Sequence, residues 1–178
     1  MVAIPSGVSD AGIPRFTQLI NKSNQFNLRT KRYSEANIQS MKLNSDQYKL
    51  IEITLKDKFG SYGQISSIIL KKNGEVAFVD TWVMSCRVLK RGVENFALGL
   101  MIEAASVWGC KVLLGEYIAT AKNILVQNLY LELGFKKIIE SMPLIPQFEG
   151  TVYARNIEEF DQLKTNNWIS FDQAQVKY

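Results

Sequence analysis

From Tyr48 onward the chain alternates. Ile51, Ile53 and Leu55 are interleaved with Glu52, Thr54 and Lys56, the period-two pattern of a half-buried strand. A glycine-bearing loop, "DKFGSYG", leads to a second run, "QISSIILKK". Asn73-Gly74 separates that run from a third, "EVAFVDTWV". Asn-Gly between two strand-like runs predicts a hairpin with a type I′ turn, whose central residues both need positive φ. Residues 48–83 therefore read as three sequential antiparallel strands. The period then changes. Val93, Phe96, Ala97, Leu100, Met101, Ala104, Ala105, Val107 and Trp108 recur at helical spacing, opposite Asn95, Gly99, Glu103 and Ser106. Gly109 stops this helix, and "CKVLLGEY" reads as a buried strand. Strand, helix and strand make a right-handed parallel crossover.

Upstream, "RFTQLINKSNQFN" carries Phe16, Leu19 and Ile20 on one helical face, and Ser34 is an N-cap candidate for a second short helix. Downstream, "NILVQNLYLELGF" reads as a helix with Gly134 just past its end. "KKIIE" and "TVYARNI" read as a last pair of strands, and "EEFDQLK" as a short terminal helix. Residues 1–13, rich in Gly, Pro, Ser and Ala, read as an irregular lead-in to a single domain over 14–178. The class is a mixed α/β sheet: an antiparallel meander, a central parallel βαβ crossover and a final strand pair.

Composition narrows the chemistry. The chain has 178 residues, 47% hydrophobic and 21% charged, as in a globular domain with a sizeable core. No apolar run approaches the roughly 20 residues that span a bilayer, and the N-terminus lacks the basic and apolar regions of a secretory signal. The two cysteines show no metal-ligand spacing and read as reduced thiols of a cytoplasmic protein. There is no histidine, so histidine-based metal sites and Ser-His or Cys-His catalysis are excluded within the chain. No metal and no membrane partner are expected. The net charge of +4 is concentrated in two small clusters, Arg29/Lys31/Arg32 and Arg87/Lys90/Arg91. That suits a discrete anion or an acidic partner rather than nucleic acid.

The densest chemistry lies in "MSCRVLKRGVENFAL", residues 84–98. A helix that opens just after a strand presents free N–H groups and a positive dipole end, which favours phosphate. Gly92 lets an anion approach the backbone, and Arg87, Lys90 and Arg91 add charge; the alternative is a plain turn with solvated cations. Cys86 sits at the strand end as a thiol able to accept an acyl group, or as a structural cysteine. Cys110 reads as core. Asp57, ending a strand in a chain without histidine, is the general-base candidate, or a turn residue. Asp80, in phase with Phe78 and Trp82, is either a buried hydrogen-bonded carboxylate or a solvent-facing one.

Residues 84–135 resemble the core of the GNAT acyltransferase superfamily. Leu89-Lys90-Arg91-Gly92-Val93-Glu94 aligns with its Q/R-x-x-G-x-G/A diphosphate loop, with Leu89 in place of the polar residue and Glu94 in place of a small one. Asn123, Leu129, Tyr130, Leu133, Gly134 and Phe135 match its N-x-x-A-x-x-L-Y-x-x-L-G-F pattern, with Val126 replacing the alanine. Four ordered segments, "QLINKSNQFNLRTKRYSEANI", "LKDKFGSYGQI", "DTWVMSCRVLKRGVE" and "GEYIATAKN", resemble the C-terminal, GNAT-like half of FkbH-like proteins.

That resemblance implies a GNAT-like acyl-CoA N-acyltransferase fold and transfer of an acyl group, such as glyceryl, to or from a pantetheine thioester. The thioester is carried by coenzyme A or as phosphopantetheine on an acyl carrier protein. A haloacid-dehalogenase-type (HAD-type) phosphatase domain is the expected companion, fused or separate. By the same resemblance Tyr130 protonates the leaving thiolate, its alternative being an aromatic packed on the helix face, and the loop from Arg87 to Val93 holds the phosphate. Lys122 and Asn123 flank the pantetheine arm or cap the helix that follows. The amides of Asn24, Gln25 and Asn27 suit the hydroxyls of a glyceryl group or satisfy their own loop. Two alternatives stand beside this: a non-catalytic carrier-docking module, and an acetyl-CoA-dependent N-acetyltransferase.

Overall fold

In the computed structural model, described here for residues 2–58, 60–138 and 148–158 and for the backbone of 170–171, eight strands form one sheet. They are β1 (Val2–Gly7), β2 (Tyr48–Asp57), β3 (Gly60–Asn73), β4 (Val76–Met84), β5 (Val112–Tyr117), β6 (Lys136–Lys137), β7 (Thr151–Asn156) and β8 (Ser170–Phe171). Their order is β6-β7-β5-β4-β3-β2-β1-β8. The meander β2-β3-β4 is antiparallel and β4-β5 is parallel, as the sequence patterns predict. Ile51, Ile53 and Leu55 are buried, while Glu52 and Thr54 are half-buried and Lys56 is exposed.

Helices α1 (Ile13–Lys22) and α2 (Glu35–Leu43) pack on one face, where Phe16, Ile20 and Ile38 meet Leu50, Ile69 and Val83. Ser34 caps α2, its hydroxyl accepting from the Asn37 N–H. On the other face α3 (Val93–Val107) buries Phe96, Ala97 and Met101 against Ile68, Leu70 and Val79. Its buried stripe is wider than the periodicity implies, because Leu98 and Ile102 are also covered; Val107 is 78% exposed instead of packed.

Three elements depart from the sequence reading. Residues 2–7 are not an irregular lead-in: they pair antiparallel with β2 along their whole length. Pro5 fits there because, among the described residues, β8 pairs with Val2 and Ala3 and not with the remainder of β1, which is an edge. In the β3–β4 hairpin the central residues are Gly74 and Glu75, and of these only Gly74 has positive φ. That meets the glycine-first requirement of a type II′ turn, not type I′. The segment after Asn123 is a 3-10 turn (Ile124–Val126) followed by a short α4 (Leu129–Glu132) rather than one helix. α4 does end as expected: the Phe135 N–H donates to the Tyr130 carbonyl and the Gly134 N–H to that of Leu131, a Schellman closure with Gly134 at φ 79°. The "EEFDQLK" helix falls, except for Glu158, outside the described residues.

Candidate functional site

The pairing of β4 with β5 stops at Val79 and Gly115. Past that point β4 runs on to Met84 and β5 to Tyr117, leaving edges that need partners. A segment of the chain itself, residues 26–30, supplies them. On the β4 side the Met84 N–H donates to the Phe26 carbonyl, Asn27 bridges to Val83, and the Arg29 guanidinium donates to the Asp80 carbonyl at 2.8 Å. On the β5 side the Ile118 N–H donates to the Leu28 carbonyl. Phe26 packs edge-on to Trp82 at 5.3 Å between ring centres.

Arg29 latches this segment. Its guanidinium lies 2.9 Å from the Asp80 carboxylate and 2.7 Å from that of Glu116, with all three side chains largely buried. Tyr33 and Thr81 donate hydroxyl hydrogen bonds to the second Asp80 oxygen, and the Glu149 and Gly150 N–H groups donate to the second Glu116 oxygen. Burial and the adjacent Asp80 carboxylate push the Tyr33 hydroxyl well above the usual phenol range. Asp80 is thus the buried, hydrogen-bonded carboxylate of the two alternatives. Sequence periodicity gave no sign of Glu116 or of the latch.

Above the segment lies an open groove of about 810 Å³ between the ends of β4 and β5. Asn24, Gln25 and Phe26, Met84, Ser85 and Cys86, and Ala121 and Lys122 contribute to its lining. Three candidate regions therefore meet in one place, and Cys86 is exposed there, at the start of a 3-10 turn (Cys86–Val88). Arg15 and Lys22 of α1 also line the groove. Sequence reasoning missed both, since their helix face is fixed by packing against the sheet.

Beside the groove the chain turns into α3. Gly92, with φ 82°, occupies the N-cap, a left-handed position that favours glycine. Lys90 precedes it at φ 59°. The Glu94 carboxylate accepts the Lys90 N–H at 2.6 Å, so one amide of the loop is already engaged by a carboxylate. Arg87, Lys90 and Arg91 are exposed around it, and the side chain of Val93 is fully buried, leaving only its backbone to the loop.

Three candidates are buried as packing or hydrogen-bonded groups, one of the alternatives open to each, and a fourth ends a strand as expected. Asn123 is fully buried. Its amide donates to the Asn27 and Ile118 carbonyls and accepts from the Tyr117 hydroxyl and the Thr120 N–H. It stands at the N-cap of the 3-10 turn Ile124–Val126, but its side chain makes no capping hydrogen bond there and is saturated as a strut beneath the groove. Asn27 is likewise buried, donating to the Ser23 carbonyl and accepting from the Thr30 N–H, where Thr30 takes φ 55°. Tyr130 is 1% exposed, stacked on Tyr153, and lies flat on β5: a Cβ at Gly115 would come within 2.2 Å of its ring. Its hydroxyl finds no hydrogen-bond partner among the described residues, and burial pushes its pKa far above the usual value. It does not line the groove. Asp57 ends β2 at the tip of the β2–β3 hairpin, beyond the Ser66–Met84 pair, and its side chain lies outside those described. Of the remaining amides, Asn24 accepts from Arg32 and Gln25 is exposed. Cys110 is buried, and burial raises its thiol pKa, as a core role implies.

Among the described residues no helix is long and apolar enough to cross a membrane, and no group of three or more His, Cys, Asp or Glu is placed to hold a metal ion.

No protein-family model matches the sequence, and no curated protein matches it significantly. Solved structures do match in fold. A GNAT-family acetyltransferase from Staphylococcus aureus superposes with a TM-score of 0.68 at 14% identity, over 88% of this chain and 99% of that one. The ribosomal-protein-S18-alanine N-acetyltransferase of Escherichia coli gives 0.62 at 17%, over 88% and 94%. A phosphinothricin acetyltransferase from Sinorhizobium meliloti, solved in complex with AcCoA, gives 0.62 at 13%, over 94% and 95%.

Proposed function

We propose, from a fold shared with GNAT acetyltransferases, that this chain is an acyltransferase that takes a pantetheine thioester into the groove and uses the Cys86 thiol as acyl acceptor. The observation that carries the reading is the exposed thiol of Cys86, in the same groove as Lys122, Lys22 and Arg15 and directly before the cationic loop that opens α3. When bound, the thioester supplies an acyl carbon open to thiol attack. The Cys86 sulfur adds to that carbon, its bond to the pantetheine sulfur breaks, and the pantetheine thiol leaves carrying the proton that Cys86 gave up. A second thiol reverses the exchange and takes the acyl group. One thioester replaces another, so little driving force is needed.

The loop fits a phosphodiester. Gly92, the start of α3 and the exposed cations Arg87, Lys90 and Arg91 are the groups that would hold the anion, while Glu94 engages the Lys90 N–H and adds a negative charge. This arrangement favours the single phosphodiester of carrier-bound phosphopantetheine over the diphosphate of coenzyme A. The resemblance to FkbH-like proteins supports glyceryl as the acyl group, an acyl carrier protein as its bearer and a HAD-type phosphatase as companion. Tyr130 and Asp57 are given no role in this exchange. A docking module without chemistry is the second reading, favoured by the burial of Tyr130 against Gly115 and Tyr153, which leaves its hydroxyl out of the groove lining.

Initial rates separate the readings. With an acyl-pantetheine donor and a pantetheine acceptor, a Cys86 relay gives parallel double-reciprocal lines, and Cys86→Ala abolishes turnover. Intersecting lines with an active Cys86→Ala variant contradict the relay. No turnover, with carrier binding intact, leaves the docking module.

A further inference from the structure

The polypeptide that forms the groove's second wall continues into an exposed apolar ridge. Ala121 and Lys122 line the groove. Asn123 is pinned by its hydrogen bonds, and Val126, Leu129 and Tyr130 turn inward. The opposite side of the same stretch turns Ile124 (59% exposed), Leu125 (54%) and Leu131 (49%) to solvent. Single exposed aliphatics are ordinary, but three of them on one short stretch beside the groove make this stretch the candidate contact surface. The charge around them has one sign bias. Among the described residues, Lys122, Lys136 and Lys137 are exposed on this stretch and just past it against one carboxylate, Glu132, and the groove wall opposite carries Arg15 and Lys22 with no described carboxylate in the lining.

We infer that the Ile124–Leu125–Leu131 ridge, with its lysine border, is a docking surface for an acidic amphipathic helix of the partner protein that carries the thiol arm. An apolar centre with a charged rim is the anatomy of a transient interface, and cations on this side select a negatively charged partner and speed its arrival. The ridge begins two residues after Lys122, so a partner seated on it sets its tethered arm at the groove mouth. This rests on the proposed function for the arm's purpose, but not for the contact itself.

The test uses the full chain and, as probe, a phosphopantetheinylated acyl carrier protein of net negative charge. Binding is measured by calorimetry at low and at high salt for wild type, for the Ile124→Glu/Leu125→Glu double variant and, as an independent second variant, for Leu131→Glu. All three positions are exposed, and circular dichroism confirms the fold. Wild type is expected to bind, more weakly at high salt. Both variants should lose about tenfold or more in affinity, while acyl exchange with a free pantetheine thioester is unchanged. Undiminished carrier binding by the folded variants overturns the inference, as does a wild type that binds no carrier. Variants that keep carrier binding while Cys86 still loads would leave the proposed function standing without this surface. Selective loss of binding in a protein that never loads Cys86 would leave the surface standing without the chemistry.

Discussion

The Tyr130 hydroxyl is buried against β5 with no hydrogen-bond partner among the described residues, whereas Asn123, on the same stretch of chain, has every polar atom of its amide engaged. An unsatisfied buried hydroxyl costs about 1–3 kcal/mol, so Tyr130→Phe, which keeps the ring, should hold or raise stability by roughly 1 kcal/mol. The alkaline limb should change as well. Burial holds the phenol neutral in the folded state, so its stability contribution is complete below the unfolded pKa of about 10. It is lost as pH rises above that value, because only the unfolded chain ionises easily. Urea titrations between neutral pH and pH 11 should therefore show a shallower fall for Tyr130→Phe than for wild type. A less stable variant with an unchanged slope would mean that the hydroxyl is bonded after all. Residue type alone did not reveal these roles. Asn27, Asn123 and Tyr130 have the right chemistry for a ligand, yet contacts from distant parts of the chain turned them inward; the Asn123–Asn27 bond spans 96 positions. The place of Cys86 at the strand-to-helix junction was legible because its cue is local: a strand period ends, a glycine follows, and a helical period begins.

At the level of elements, residues 26–30 act as a short extra strand between β4 and β5, held by charge as much as by backbone pairing. Arg29→Met removes the one cation between two buried carboxylates. Breaking a buried pair from one side costs about 3–5 kcal/mol, and the loss should be localised. In native-state hydrogen exchange, the Ile118 and Met84 amides, which bond to this segment, should exchange faster than amides of β2. Protection equal to wild type would show that backbone pairing alone holds the segment. No periodicity announces such a piece: it is too short for an alternation, and Arg29 sat in a cluster of cations that suited an external anion or acidic partner rather than carboxylates of the chain itself. β1 was missed for a related reason, since its Pro and Gly dilute the strand signal at an edge that tolerates them. The meander, the crossover and α3 were legible because each is long enough to repeat its period and bury one face.

At the scale of the molecule, the sheet divides where β4 and β5 part. The chain closes that division from within, and the closure leaves a one-sided groove with a thiol on its wall, cations around it and an apolar ridge beside it. The central claim is that Cys86 accepts an acyl group there. Intact-protein mass spectrometry after mixing wild type or Cys86→Ala with a glyceryl-loaded acyl carrier protein tests it most directly. The account predicts a mass increase equal to one glyceryl acyl group on wild type alone, removed again by an added pantetheine thiol. Acyl transfer with no adduct on wild type, or at an undiminished rate in Cys86→Ala, would contradict it.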